Sequence, residues 1–384
     1  MIPVYLDYQA TTPLDERVRL AMEPYWNGAF GNPHSEGHRY GWEAREAVTR
    51  ARTEVAGLVG ADDGEIVFTS GATESCNLAL RGIAAGADGS RRKIVTAATE
   101  HPAVLETVRW LGRHGFESVI LPVNHDGLLD LTVLEEAVDK RTLLVSVMAA
   151  NNEIGVLQPM PEIAALCRTV GAVLHSDATQ AVGRIGVHVD RLGVDLMSFS
   201  GHKVYGPKGV GALYVRNRPG VRVEPVVTGG HQEWGLRAGT VPVPLAVGLG
   251  AACSIAADEW RGDADRMGRL ATGLYGRMLS TFPDMQVFGD LERRVPGNLN
   301  VGFPFVTADD LVARVADRIA ISTGSACASA TIEPSHVLLA LGLDAEDAAT
   351  GVRISLGRFT TETDVEEASA ALTTVVRDCR GARK

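Results

Sequence analysis

Over the first two-thirds of this 384-residue chain, short runs rich in β-branched residues alternate with amphipathic stretches. The strand-like runs are EIVFTS (65–70), KIVTAA (93–98), SVILPV (118–123), TLLVSVMA (142–149), AVLHSD (172–177), DLMSFS (195–200) and GALYV (211–215). Helical spacing of apolar residues fills 43–59, 74–83, 103–114 and 161–169. This α/β alternation predicts a mostly parallel, seven-stranded sheet flanked by helices, with ligands at the carboxyl ends of the strands. The C-terminal third changes character: NLNVGF (298–303), RIAIST (318–323) and GVRISLG (351–357) lie among helices and predict a smaller α+β domain. The division reads as 15–258 for the large domain, with 1–14 and 259–384 for the small one.

Hydrophobic residues make up 45% of the chain, enough for two cores. A net charge of -10 lacks the basic excess of a nucleic-acid surface, so no direct nucleic-acid contact is expected. The N-terminus has no basic region followed by an apolar core, and the most apolar stretch, 241–257, is broken by prolines and rich in Ala and Gly. It reads as a buried helix, and no membrane association is expected. Five cysteines without a C-x-x-C pair fit a reducing cytoplasm and no disulfide framework.

The chemistry concentrates at 195–211, DLMSFSGHKVYGPKGVG. An apolar run ends at Ser200, Gly201 breaks it, and His202 and Lys203 follow. A lysine at the end of a buried strand suits covalent chemistry, because desolvation favours the neutral, nucleophilic amine. The alternative is a surface hairpin with an ordinary lysine. Only five lysines occur, Lys93, Lys140, Lys203, Lys208 and Lys384. Lys93 and Lys140 read as parts of polar connections and Lys384 is terminal, so Lys208 is the sole local rival.

Other strand ends supply matching groups. AVLHSD ends in Asp177, with Gln180 just beyond, and Asp177 suits the ring nitrogen of a pyridine. His101 follows KIVTAATE and can stack on such a ring, while Gly71, Ala72 and Thr73 open a helix whose N-terminus can hold a phosphate. Each has a structural alternative as a helix cap. Together with Ser200 and His202 they describe a pyridoxal 5′-phosphate site. His34 and His38 have helical spacing for a metal, but no third ligand is evident and no metal is expected.

These parts, with YLDYQATTP (5–13), GNPHSEGHRYG (31–41), FTSGATESCNLAL (68–80), ANNEIGVLQP (150–159), GGHQEWGLRAGT (229–240), STGSACAS (322–329) and RISLGRFTTE (353–362), resemble the class V aminotransferase-like group of fold-type I pyridoxal phosphate enzymes. Within that group the likeness is to cysteine desulfurases of the NifS and IscS type. The resemblance implies that Lys203 holds the cofactor, Asp177 pairs with its ring nitrogen, Gln180 meets its phenolic oxygen and His101 stacks on it. Ala72, Thr73, Ser200 and His202 would bind the phosphate. Thr240 would reach it from a partner subunit, which implies a homodimer. Asn32, Asn151 and Arg353 resemble the groups that orient the substrate carboxylate, where a guanidinium offers a bidentate fork.

Cys76, Cys167 and Cys253 lie in apolar helical patterns and Cys379 near the chain end, whereas Cys327 sits among small residues in TGSACASA. A thiol there suits nucleophilic sulfur chemistry, and its spacing resembles the long-loop desulfurases. The implied reaction converts L-cysteine to L-alanine with a persulfide on Cys327, Lys203 or His101 moving the protons. The loop is expected to swing between substrate and acceptor. A class V aminotransferase or a selenocysteine lyase would share the cofactor site, and a non-enzymatic sulfur carrier or scaffold is the reading from another class. The sulfur acceptor of such enzymes serves iron–sulfur cluster assembly, tRNA thiolation or DNA phosphorothioation. Gln9, where Ser or Asn is expected, tilts the expectation toward phosphorothioation.

Overall fold

The computed structural model describes residues 2–323 and 334–381. Strands β1 (Ile66–Thr69), β2 (Lys93–Ala97), β3 (Glu117–Leu121), β4 (Thr142–Ser146), β5 (Val173–Asp177), β6 (Leu196–Ser200) and β7 (Gly211–Val215) form one sheet in the order β1-β7-β6-β5-β4-β2-β3. Only β7 runs against its neighbours β1 and β6; the other pairings are parallel. The carboxyl ends of the other six strands therefore share one edge. The 195–211 stretch is thus an antiparallel connection, as the hairpin alternative held, but a buried one.

Burial on both faces explains the continuous apolar runs: all of β1 and β6 is buried, whereas edge strand β3 mixes exposed Glu117, Ser118 and Ile120 with buried Leu121. Helices α1 (Arg39–Val59), α2 (Ala72–Ala85), α3 (Pro102–Arg113), α4 (Met160–Val170) and α5 (Val243–Thr281) cover the sheet. Val55 of α1, Ile163 of α4 and Leu249 of α5 pack on one face with Leu174, Met197 and Phe199. Leu78 of α2 and Val108 of α3 pack on the other with Val67, Ile94 and Leu213. A Cβ at Gly250 would lie 2.6 Å from Ala51 Cα, so α1 and α5 meet nearly backbone to backbone.

A second core surrounds β8 (Asn298–Gly302) and β9 (Val352–Ser355), antiparallel partners in a three-stranded sheet, with Gln286–Val287 on the far side of β8. Leu299, Ile354 and Val376 of α6 (Glu362–Gly381) contribute to it, as do Leu274 and Met278 of α5. The 39-residue helix α5 thus serves the first core with its amino half and the second with its carboxyl half, and residue 258 lies inside it.

The N-terminal segment crosses between the two cores. Val4–Tyr5 pairs in parallel with Ile319–Ala320. Tyr8 N–H then donates to the Ser355 carbonyl at 3.1 Å, Thr12 N–H to His202 at 2.9 Å and Asp15 N–H to Tyr205 at 3.0 Å. No helix among the described residues is long and apolar enough to cross a membrane.

Candidate active site

Strand β6 delivers its last residue, Ser200, to the carboxyl edge, and the chain turns tightly through Gly201–Lys203. Tyr205 then takes a left-handed backbone, φ 64°, which costs a residue with a Cβ and so must be held. Its N–H donates to Thr12 Oγ1 at 2.9 Å, its hydroxyl accepts from Arg358 N–H at 2.6 Å, and the Arg358 guanidinium lies 4.4 Å over its ring. The turn so fixed aims Lys203 at the N-terminal segment, where Nζ donates to the carbonyls of Gln9 and, at 2.8 Å, Ala10. Lys208 is exposed. Lys93, expected in a polar connection, is instead the buried first residue of β2, with Nζ donating to Asp139 Oδ2 at 2.8 Å at the opposite edge of the sheet.

Asp177 ends β5 at 6% exposure, and its Oδ1 accepts from Thr179 N–H at 2.9 Å. The Cys76 thiol donates to Oδ2 at 3.8 Å, and behind it His175 is clamped between Ser146 Oγ at 2.8 Å and Ser198 Oγ at 2.9 Å. Burial holds His175 neutral, with its pKa pushed down to about 4. Gln180 Nε2 donates to the Gln9 carbonyl at 3.0 Å, leaving Oε1 buried without a partner. In this orientation Gln180 has only its carbonyl oxygen left, which can accept a hydrogen bond.

His101 caps α3, its Nδ1 accepting from Ala103 N–H at 3.1 Å. Burial depresses its pKa, with Asp177 opposing and Lys203 and His336 adding to the effect, so those four groups share one neighbourhood. With Nδ1 committed as an acceptor, the neutral ring carries its proton on Nε2.

The phosphate-binding candidates gather at the amino end of α2. Gly71 has φ 149°, and a Cβ there would stand 3.6 Å from Ser200 Oγ. The N–H groups of the first turn, from Ala72 and exposed Thr73, have no acceptor within the helix. Beside them His202 Nδ1 meets Thr11 Oγ1 at 3.1 Å, and burial followed by the charges of Lys203 and Lys208 lowers its pKa to about 4. Thr240 and Asn32 are both exposed in the single chain.

Of the carboxylate-orienting candidates, Arg353 on β9 is buried, with Nη1 donating to the Asn152 carbonyl at 2.7 Å and Nη2 to Asp7 Oδ1 at 2.8 Å, while Nε has no partner. Asn151 is bonded on every side: Nδ2 to the Thr99 carbonyl at 2.9 Å and Met148 Sδ at 3.3 Å, and Oδ1 from the N–H groups of Glu153 and Ile154 at 2.8 and 2.9 Å. It shapes the loop that presents the Asn152 carbonyl to Arg353. His38 caps α1 and His34 is exposed; no cluster able to hold a metal occurs among the described residues.

Sequence reasoning missed Asp7, Glu100 and Glu153. Burial pushes the Glu100 carboxyl well above its usual range, although Met148 N–H donates to Oε1 at 2.6 Å. Burial raises Glu153 as well, and the Ser335 hydroxyl donates to it. The available signal was an isolated carboxylate inside small or apolar runs, ATEHPAV and NNEIGV.

Buried Gln9 Nε2, Thr99 Oγ1, Glu100 Oε2, Thr179 Oγ1, Gln180 Oε1 and Arg353 Nε lack partners, and all lie on the segments that carry Lys203's neighbours. Unpartnered buried groups are costly, so their concentration here fits a polar ligand. The cysteines divide sharply. Burial pushes the thiols of Cys76 and Cys253 far up and Cys167 to about 12, and burial with Asp310 raises Cys379. Cys327 lies outside the described residues, as does most of the loop assigned to it.

Residues 4–367 match the family model for aminotransferase class-V. The chain belongs to the class-V aminotransferase family. Among curated relatives of this class-V chain is the cysteine desulfurase IscS of Rickettsia bellii, 48% identical over 368 residues, covering 96% of this chain and 90% of that protein. A solved NifS-like protein superposes with a TM-score of 0.90 at 37% identity, over 98% of this chain and 99% of that one. SspA in complex with cysteine gives 0.82 at 34% identity, over 93% and 99%. The cofactor of this family is pyridoxal 5′-phosphate. The unpartnered atoms around Lys203 and the open α2 amino end fit it.

Proposed function

We propose that the chain is a pyridoxal-phosphate-dependent cysteine desulfurase that moves the sulfur of L-cysteine onto Cys327 as a persulfide and releases L-alanine. One observation carries the chemistry: of the two lysines at the carboxyl edge, only Lys203 is drawn in among Asp177, Gln180 and His101. Lys203 Nζ would hold the cofactor, Asp177 its ring nitrogen, Gln180 its phenolic oxygen, and Ala72, Thr73, Ser200 and His202 its phosphate. When bound, the cofactor supplies an electron sink for the charge left at Cα.

The chain's own groups divide the remaining work. Arg353 orients the substrate carboxylate through its free Nε–H, held in place by Asp7 and the Asn152 carbonyl. Lys203 Nζ, in reach of the Gln9 and Ala10 carbonyls, would take the Cα proton. His101, with its proton on Nε2, is placed to donate. Asn32 lies on the exposed loop near α1 and would complete the carboxylate site. The Cys327 thiolate would attack the substrate sulfur, forming an S–S bond as the Cβ–S bond breaks; the bonding pair stays on Cβ, which is protonated to the methyl of L-alanine, and the sulfur is left on the protein. The other cysteines are protonated and buried, which supports Cys327 for this step.

The exposure of Thr240 supports a homodimer in which it completes the other subunit's phosphate site. The sulfur would pass from Cys327 to an acceptor protein in the cytoplasm. Cys327→Ser is expected to bind cysteine with unchanged affinity and to carry no protein-bound sulfane sulfur by cyanolysis and mass spectrometry. Sulfane sulfur retained on that variant would refute the assignment.

A further inference from the structure

Residues 229–240, the segment ending in Thr240, are pinned to their own chain at two points. The first is a turn in which Glu233 and Trp234 both take left-handed backbones, φ 47° and 55°, which L-residues adopt only when held there. What holds them is a buried clasp. Glu233, at 5% exposure, accepts from Arg52 Nη1 at 2.8 Å and Nη2 at 2.7 Å and from Phe68 N–H at 2.7 Å. The Arg52 guanidinium in turn lies between the Phe68 ring at 4.7 Å and the Trp234 ring at 4.6 Å. The second point is Arg237, whose Nε donates to Glu74 Oε1 at 2.8 Å. Between them Gln232 Oε1 accepts from Gly239 N–H at 3.0 Å, and Thr240 at the end of the segment is exposed.

A strained turn secured by a bidentate, desolvated ion pair is a rigid mount. Its end, Thr240, is exposed in the single chain. We propose that Arg52 and Glu233 are positioning residues for the cofactor phosphate, acting through Thr240 on the site of the other subunit; this rests on the dimer reading above. Arg52 sits on α1 and touches no group proposed to meet cofactor or substrate, but the clasp also grips β1 through the Ile66 carbonyl and Phe68 N–H, ahead of the same chain's Gly71–Thr73 turn, so an effect in trans has to be separated from one in cis.

The test uses the full-length dimer and two ligands, pyridoxal phosphate and pyridoxal, which lacks the phosphate. Glu233→Gln is expected to weaken pyridoxal phosphate binding by about tenfold or more, the scale of one charge-assisted hydrogen bond, and to leave pyridoxal binding within about twofold. Trp234→Ala, which removes an exposed ring at 56% exposure, is the second variant should Glu233→Gln fail to fold, with the same signature expected. Each variant is then mixed with Lys203→Ala chains, whose arms are intact, and the cofactor fixed by borohydride to the Lys203-bearing chain is counted by mass. Restored occupancy on that chain is expected, as for Thr240→Ala mixed in the same way. Equal loss of both ligands, or no restoration where Thr240→Ala is restored, overturns the proposal and leaves the dimer reading intact. No restoration for Thr240→Ala overturns both.

Discussion

Arg353→Lys tests how the substrate carboxylate is held. The guanidinium divides its donors: Nη1 to the Asn152 carbonyl at 2.7 Å, Nη2 to Asp7 Oδ1 at 2.8 Å, and Nε with no protein partner. At 2% exposure the side chain cannot swing to regroup them. A lysine keeps the charge and three donors, but they radiate from one atom, so it cannot reach Asp7, the Asn152 carbonyl and a substrate from the three separate nitrogen positions of the guanidinium. The loss is one charge-assisted hydrogen bond, about 1.5–3 kcal/mol, or about 10- to 150-fold in the KM for cysteine. Alanine formation gives KM and kcat. Inhibition by cysteamine, which has the amine and thiol but no carboxylate, isolates the interaction, because its inhibition constant is expected to stay within about twofold. An unchanged KM, or an equal loss of cysteamine binding, would remove Arg353 from the carboxylate site.

Lys203→Ala is expected to lose both the covalently held yellow cofactor and turnover, whereas Lys208→Ala keeps both; the reverse pattern by absorbance and borohydride trapping would reassign the lysine. Native alkylation with iodoacetamide near neutral pH is expected to label Cys327 alone, and adducts on Cys76, Cys167, Cys253 or Cys379 in the peptide map would contradict their raised pKa values. Glu100 gives a pH signature: an acid whose folded pKa is raised favours the fold at low pH and loses that contribution as pH climbs above its ordinary value of 4.5. Glu100→Gln removes the slope, so urea melts from pH 5 to 8 are expected to show its advantage over the parent growing by up to about 1.4 kcal/mol per pH unit. A pH-independent difference would mean that Glu100 is not the strained acid its burial indicates.

The strands and the residues at their ends were legible because both are local. A buried β6 has to read as an apolar run, and Ser200, His202 and Lys203 follow within three residues of its end. What holds Lys203 was not legible, since it bonds to main-chain carbonyls of Gln9 and Ala10, groups that every residue carries whatever its side chain. Asp7 and Arg353 meet across 346 residues of sequence, so neither announces the other. Asn151 reads as a substrate group from its motif, and only the fold reveals that its amide also ties the Thr99 carbonyl to its own loop. Glu100 and Glu153 read as ordinary polar residues until burial is known.

The crossing of the N-terminal segment has a consequence for biosynthesis. Leu6 and Tyr8 take their backbone partners from residues 320 and 355, which are made long after them. At ordinary elongation rates the segment waits on the order of half a minute for them. During that interval the large sheet has its strands, but the two carbonyls that fix Lys203 belong to a segment with only one side anchored. The surroundings of Lys203 are therefore completed only once residues 320 and 355 have been made, long after the strands of the large sheet.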